Sequence, residues 1–557
     1  MILIAAYWLF LFFLALPIGV ATIHLLKINS QNTIITLLLG LVSLTCCFTI
    51  TAFFFPLNGA SLLFWTALGI LSGIYYRTQV GQLLSGFSEN LKQLPSHLKV
   101  VVGILTFGAL LKSAQYPFIT DNESYYIQTI KWLNQYGFVK GLANLHLFFA
   151  QSSAWHVLQA ATNFSFMTNK INDINGFVFI LCTLYCITEG HKYSTPKKMY
   201  WLSFMPLAAI FSFLFLDVPS PDLPLLVITP VILHLYIQYN KTNSNFKIAL
   251  LLFIFLVSIK LTILPLGILF LPGLIIKQNL KFAIFAGVPI ALLWIVKNIV
   301  ISGYPLYPIG LFKTGYDWAV PDNAYNWIVN ITADYGYKRT AGLLPKDTTT
   351  ATKLLYWLQQ DKLAGIINKL TLALLFIMPL SMLKDKKHKM VYAALLINFL
   401  VILLTSPQFR YFLYITFAGF LFVAAALFNY LKADIVVYKI VMFLGSVIVF
   451  ITFLNFGLDK LTTNRQHLAH GKISVQQLYL PSGITKYPDM KFIKVKLDNL
   501  NYYSPEYNFF TYGTANGPLP CVNSQQIEFL QKNLGIIPQQ RTNDIKDGFY
   551  SAKTPEK

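Results

Sequence analysis

The sequence predicts an all-α polytopic membrane protein that carries a small C-terminal domain outside the membrane. Three observations lead there. The 557 residues are 55% hydrophobic and only 12% charged, with mean hydropathy +0.57, whereas a soluble chain carries about a quarter charged residues. Apolar runs long enough to span a bilayer recur along the whole chain. The basic residues behind the net charge of +21 are scattered in short clusters between those runs, as in KDKKHK (384–389), HKYSTPKK (191–198) and KQNLK (277–281). Such scatter is the positive-inside pattern of cytoplasmic loops, so no nucleic acid is expected among the partners.

The opening run, MILIAAYWLFLFFLALPIGVATIHLLK, lacks a basic leader and is too long for a signal-peptide core. It reads as a retained first span. Further spans are expected near 33–55, 60–76, 98–116, 174–189, 199–217 and 223–239. Two short runs near 247–260 and 263–276 meet at Lys260. They form either a hairpin that penetrates part way or two tilted spans. The series closes with 281–301, 364–383, 390–405, 411–431 and 436–457, giving roughly 12–14 transmembrane helices in residues 1–457. Residues 117–173 and 302–362 are the large outer loops. Residues 458–557 mix both charges with Tyr, Asn, Pro and Gly, contain strand-like FIKVKL, and read as an extracytoplasmic α+β domain. Of the five cysteines, Cys46, Cys47, Cys182 and Cys186 lie in apolar runs and Cys521 stands alone, so no disulfide framework is expected.

Charge fixes sidedness. With the N-terminus outside, the loops holding Lys27, Arg77, Lys92, Lys192, Lys241, Lys277, Lys432 and the 384–389 cluster all fall inside. The same orientation puts Asp121, Glu123, Asp217, Asp222, Lys260, Lys297 and Arg410 outside or at outer helix ends.

The stretch ITDNESYYIQTIKWLNQYG (119–137) opens with a capping box, Thr120 to Glu123, so a helix is expected from there to Gly137. Tyr126, Ile130 and Leu133 share one side, as in an interfacial helix with aromatics at headgroup depth. The cap by itself explains Glu123. Asp121 is different, because its loop leads into GLANLHLFFAQSSAWHVLQAAT, a second outer segment with His146, Trp155 and His156. A carboxylate beside an apolar wall, within reach of an acceptor hydroxyl, suits a catalytic base. Lys260 interrupts an apolar run; an intramembrane charge is either functional or snorkels to the headgroups. Arg410, in SPQFRYF, opens a helix at its positive end, so an anion should lie beside it. Lys297 in WIVKN and Asp222 in LDVPSPDLP complete the set, each also explicable as an ordinary helix-end residue. The histidines lack zinc-ligand spacing. A divalent metal is compatible with the Asp121–Glu123 pair, which alone does not establish one.

These features resemble the GT-C glycosyltransferases, which place an acidic residue in an early outer loop and a domain after the last span. More narrowly, DNESYYIQTIKWLNQYGFVKGLANLH followed by SSAW is similar to a bacterial family of GT-C-like membrane proteins. The likeness covers residues 116–162, with weaker support from PSPD, SGYPLYP and PQFRYF. Where many such relatives have His and Arg, this chain has Tyr126 and Phe148. The resemblance implies a GT-C-like fold and transfer of a sugar from a polyprenyl-phosphate carrier to a glycan, lipid or protein acceptor, on the periplasmic side of the bacterial inner membrane. It implies Asp121, with Glu123, as the catalytic carboxylates and Arg410, Lys260 and Lys297 as holders of the donor phosphate. Tyr125, Tyr126, Trp132, His146, Trp155 and Asp222 then contact substrate or lipid. A polysaccharide polymerase or ligase shares the spans and outer arginines. A flippase or transporter predicts midplane charges and repeat symmetry, whereas the charges here sit at the edges.

Overall fold

Helix follows apolarity along most of the chain. The structure, a computed structural model, describes all residues except 196, 240–243, 339–342, 384, 455–457, 465–472 and 555–557. The expected inside residues Lys241 and Lys384 therefore lie outside the described residues. Among the described residues, eight helices are long and apolar enough to cross a bilayer: Ile2–Leu25, Thr33–Phe54, Ser96–Ser113, Lys277–Ser302, Lys362–Met382, Lys386–Thr405, Phe409–Tyr430 and Ile435–Phe453. Four shorter apolar helices lie among them, Trp201–Ser212, Asp222–Ile237, Ser244–Ile259 and Leu261–Leu274. The sequence-based count of 12–14 exceeds the eight because these pieces and the helix Gly59–Tyr75 fall short by length, and because Asn175–Tyr193, at 19 residues, ends in the polar EGHKY.

Small residues set the closest approach. Gly19 and Gly40 let Ile2–Leu25 and Thr33–Phe54 cross in contact; a Cβ on Gly19 would stand 2.0 Å from the Thr36 carbonyl, and one on Gly40 2.0 Å from the Ala15 carbonyl. Without a hydrophobic driving force between helices in lipid, such backbone proximity is what holds a pair together.

Three expectations change. Residues 77–93, read as an inside loop, form the helix Arg77–Gln93, bent 88° from Gly59–Tyr75. The bend follows composition: apolar side chains give way to RTQVGQLLSGFSENLKQ, a mostly polar sequence that leaves the span's axis. The span expected at 199–217 is instead a series of short 3₁₀ and α turns over Trp201–Ser212, with turns beyond. Prolines 206, 219 and 221 interrupt it, and buried Asp217 pairs with Lys112 of Ser96–Ser113 at 2.7 Å. Lastly, the capping box at Thr120 does not form. Residues Asn122–Tyr126 make a π turn that continues into Ile127–Gln135. The Thr120 hydroxyl has no partner, and the Glu123 carboxylate turns elsewhere.

The helix Ile127–Gln135 is also not an exposed interfacial helix, since Tyr125, Tyr126, Ile130, Trp132 and Leu133 are all buried. The C-terminal region covers it. That region contains two antiparallel hairpins, Phe492–Leu497 with Leu500–Pro505 and Ile536–Gln540 with Phe549–Lys553, and the helix Ser524–Leu534. It is small and α+β, as expected, but stitched to the outer loops. Lys131 donates to the carbonyls of Asn516 and Gly517 at 3.1 and 2.8 Å, and Ser551 to Asn144 at 2.8 Å. The Phe549 amide bonds to the Lys140 carbonyl at 3.0 Å.

Two faces result. On one, the Met1 amine bonds to the Gln477 carbonyl at 2.6 Å and the Ser482 amide to the Ala114 carbonyl at 2.9 Å. The N-terminus, the 117–173 loop and the C-terminal region therefore share a face. The basic segments gather opposite: the Asn29 amide meets Ser244 at 2.9 Å, the Met199 amide meets Asn429 at 2.8 Å, and Lys387 donates to the Ile237 carbonyl at 2.7 Å.

Placing a branched side chain at the Gly19–Gly40 crossing tests the packing. Gly40→Val should destabilise the detergent-solubilised protein by on the order of 1–3 kcal/mol, read as a lower thermal midpoint; an unchanged midpoint contradicts the crossing.

Candidate functional site

Four separate segments bring charge to one place on the face shared with the N-terminus. Asp121 comes from the turn before Asn122–Tyr126, Asp222 from the start of Asp222–Ile237, Lys260 from the break between Ser244–Ile259 and Leu261–Phe270, and Arg410 from the first turn of Phe409–Tyr430. Arg410 pairs with Asp121, and Lys260 pairs with Asp222. The quartet is neutral overall.

Backbone geometry explains why each residue points inward. Lys260 has extended dihedrals, φ −155° and ψ 122°, so the chain breaks at the charge and the helix resumes as a 3₁₀ stretch. Irregular backbone between apolar helices needs its polar groups satisfied by protein; here the Ser153 hydroxyl donates to the Ile259 carbonyl at 2.9 Å. Lys260 Nζ then lies 4.2 Å from the centre of the Tyr411 ring, a cation–π contact beside its ion pair. Arg410 is held from the other side, its Nε donating to Gln408 at 3.2 Å. The dipole misfit of an arginine at a helix N-terminus is thus answered by Asp121.

Asp222 is backed by Ser220, whose hydroxyl lies 3.4 Å from the carboxylate and 3.3 Å from the Asp222 amide. Asn175 supports that turn, donating to the carbonyls of Ser220 at 3.1 Å and Phe215 at 2.7 Å. Trp155 supports Asn175 in turn, its indole N–H at 2.6 Å from the Asn175 amide oxygen. Trp155 is fully buried and so positions the site from behind rather than lining it.

Tyr125 and Tyr126 stand beside the quartet, their rings 4.7 Å apart. The Tyr125 hydroxyl donates to Gln151 at 3.4 Å, and the Tyr126 ring lies 4.8 Å from the His156 ring. Between the two histidines the structure reverses the sequence-based choice. His146 uses both ring nitrogens, accepting the Phe148 amide at 3.2 Å and donating to the Tyr512 carbonyl at 3.2 Å, and burial pushes its pKa down to about 4. It is a packed histidine. His156 accepts the Ser153 amide at its Nδ1, 3.4 Å away, while its buried Nε2 has no partner. Burial, reinforced by Lys297, pushes its pKa down to about 3, so the imidazole is neutral and Nε2 carries the proton. Its signal in the sequence, a His three residues after Ser153, reads only as a capping box.

The remaining expectations do not converge here. Lys297 is buried and bonds to the Ser152 carbonyl rather than to either carboxylate of the quartet. Trp132 packs against Tyr136 and Phe549, under the C-terminal strands. Glu123 lies two residues from Asp121 and so projects to the opposite side of the turn. There it accepts from the Thr485 hydroxyl at 2.6 Å, the Lys486 amide at 3.0 Å and Asn122 at 3.1 Å. Its backbone carbonyl also accepts the amides of Thr514 and Ala515, both at 2.8 Å. Burial pushes its carboxyl above the usual range, against these donors. Glu123 fastens the C-terminal region. The two carboxylates do not share a metal seat, and among the described residues no three His, Cys, Asp or Glu side chains gather as one.

Glu123→Ala strips the acceptor from three buried donors, Thr485, Lys486 and Asn122, each costing about 1–3 kcal/mol when unsatisfied. The C-terminal region should then be cleaved faster in limited proteolysis while the membrane helices stay protected; equal cleavage rates contradict the fastening role.

A family model described as a domain of unknown function, DUF8201, matches residues 1–417. No curated protein and no solved structure matches the chain.

Proposed function

The chain belongs to the DUF8201 family, and we propose that it is an integral-membrane glycosyltransferase of GT-C type, moving a sugar from a polyprenyl-phosphate carrier to a glycan, lipid or protein acceptor. One observation supports this above all: two cations and two carboxylates, from positions 121, 222, 260 and 410, meet at the ends of apolar helices with Asp121, Lys260 and Arg410 partly exposed. A lipid-borne phosphate approaching along the bilayer needs cations at that depth, and an acceptor hydroxyl needs a carboxylate beside them.

In this reading Asp121 takes the acceptor's proton as its oxygen attacks the anomeric carbon from the face opposite the phosphate. The bond from carbon to phosphate oxygen breaks, its electron pair stays on the phosphate, and Arg410 and Lys260 stabilise the charge that develops. Asp222 holds Lys260, and the buried Tyr125 and Tyr126 pack beside Asp121 and support it from within. The shared face carrying the N-terminus and C-terminal region is the periplasmic face of a bacterial inner membrane, because the basic loops gather opposite. The bent pair and the four shorter apolar helices then lie in the bilayer with the eight long ones.

Two outcomes test this. In a strain lacking the gene, Asp121→Asn should insert normally yet restore less of the missing glycan than wild type by about a hundredfold or more; full restoration contradicts a catalytic base. Arg410→Ala should weaken binding of polyprenyl phosphate to the purified protein by about tenfold or more, the worth of a hydrogen bond to a charged group. Unchanged affinity removes Arg410 from the donor seat.

A further inference from the structure

The two ion pairs of the quartet are chemically alike but differently placed. The side chains of Asp121 and Arg410 are 22% and 24% exposed, so solvent reaches both partners. Asp222 is 3% exposed, with the Ser220 hydroxyl behind it, while its partner Lys260 is 19% exposed. Separating the two pairs therefore has unequal consequences. A freed Asp121 carboxylate, which solvent already reaches, rehydrates where it stands. A freed Asp222 would remain buried without its counter-ion, which is far more costly. From the exposed side, the quartet presents two cations, one permanently matched from behind and one matched from the front.

We propose that the Asp121–Arg410 pair is an exchangeable cap: an anionic phosphate oxygen takes the Arg410 guanidinium, Asp121 is released as a proton acceptor, and Asp222 stays on Lys260. This rests on the transferase reading and adds its regulation. The base is masked while the seat is empty and unmasked by the ligand whose departure it serves. Release moves Asp121 from beside a cation to beside an anion, which raises its affinity for a proton. Asp222 becomes a positioning residue for Lys260.

Carboxylate labelling of the full-length protein in detergent tests the exchange. A carbodiimide and an amine tag react with accessible carboxylates, and mass spectrometry reads Asp121 and Asp222 separately. Inorganic pyrophosphate is the probe, with sodium chloride at matched ionic strength as control, because salt alone loosens exposed pairs. Pyrophosphate should raise Asp121 labelling severalfold over the chloride control and leave Asp222 unchanged. Equal Asp121 labelling in the two salts overturns the exchange, and so does a parallel rise at Asp222. Arg410→Gln should label Asp121 strongly without pyrophosphate and show no further response; should that variant fail to fold, the wild-type arms decide alone. A flat response together with glycan loss in Asp121→Asn sinks the exchange and keeps the transferase. A labelling rise together with normal glycan in Asp121→Asn keeps the exchange and sinks the transferase.

Discussion

Charge neutrality inside an apolar setting is the constraint on which the rest of this molecule depends. A single unpaired charge at the end of a membrane helix is expensive; the chain nonetheless carries Asp121, Asp222, Lys260 and Arg410 to one place from four segments. Their pairing fixes how those segments sit. Lys260 breaks a helix to reach Asp222, Arg410 starts a helix beside Asp121, and the turn before Asp222 is braced through Asn175 and Trp155. The quartet is therefore both a local fold determinant and the place where an anion could replace a carboxylate at little cost.

The C-terminal region completes that arrangement from outside. The segment that begins at Asp121 is held on its other side by Glu123, which takes hydrogen bonds from Thr485 and Lys486 and receives two backbone amides. Two carboxylates two residues apart thus do different jobs: one faces Arg410 and the other anchors the cover. The π turn at Asn122–Tyr126 is the backbone form of that division, and turns of this kind often mark functional sites.

Much of this was legible in the sequence, for physical reasons. Lys260 and Arg410 stand out because apolar surroundings and helix polarity both make them costly alone, so each demands a partner. Asp121 and Asp222 stand out as acidic residues at the outer mouths of apolar runs. What sequence could not supply was direction. Glu123 satisfies a capping pattern that tertiary contacts outbid, and Trp132 looks like a headgroup aromatic until a C-terminal strand covers it. His146 and His156 are indistinguishable by neighbours alone; only the partners at each ring nitrogen separate the packed one from the one with a spare proton. Lys297 has the same apolar context as Lys260, but it stays within an unbroken helical turn and bonds to the Ser152 carbonyl instead of a carboxylate. The short 3₁₀ pieces over Trp201–Ser212 were hidden as well, because hydropathy reports burial and not helix type.

The most direct measurement is an electron cryomicroscopy structure of the full-length protein in nanodiscs with a polyprenyl phosphate. The account predicts phosphate density within hydrogen-bond reach of Arg410, with the Asp121 carboxylate turned away and Asp222 still on Lys260. Phosphate density at any other place, or Asp121 still paired with Arg410 beneath a bound phosphate, would contradict it.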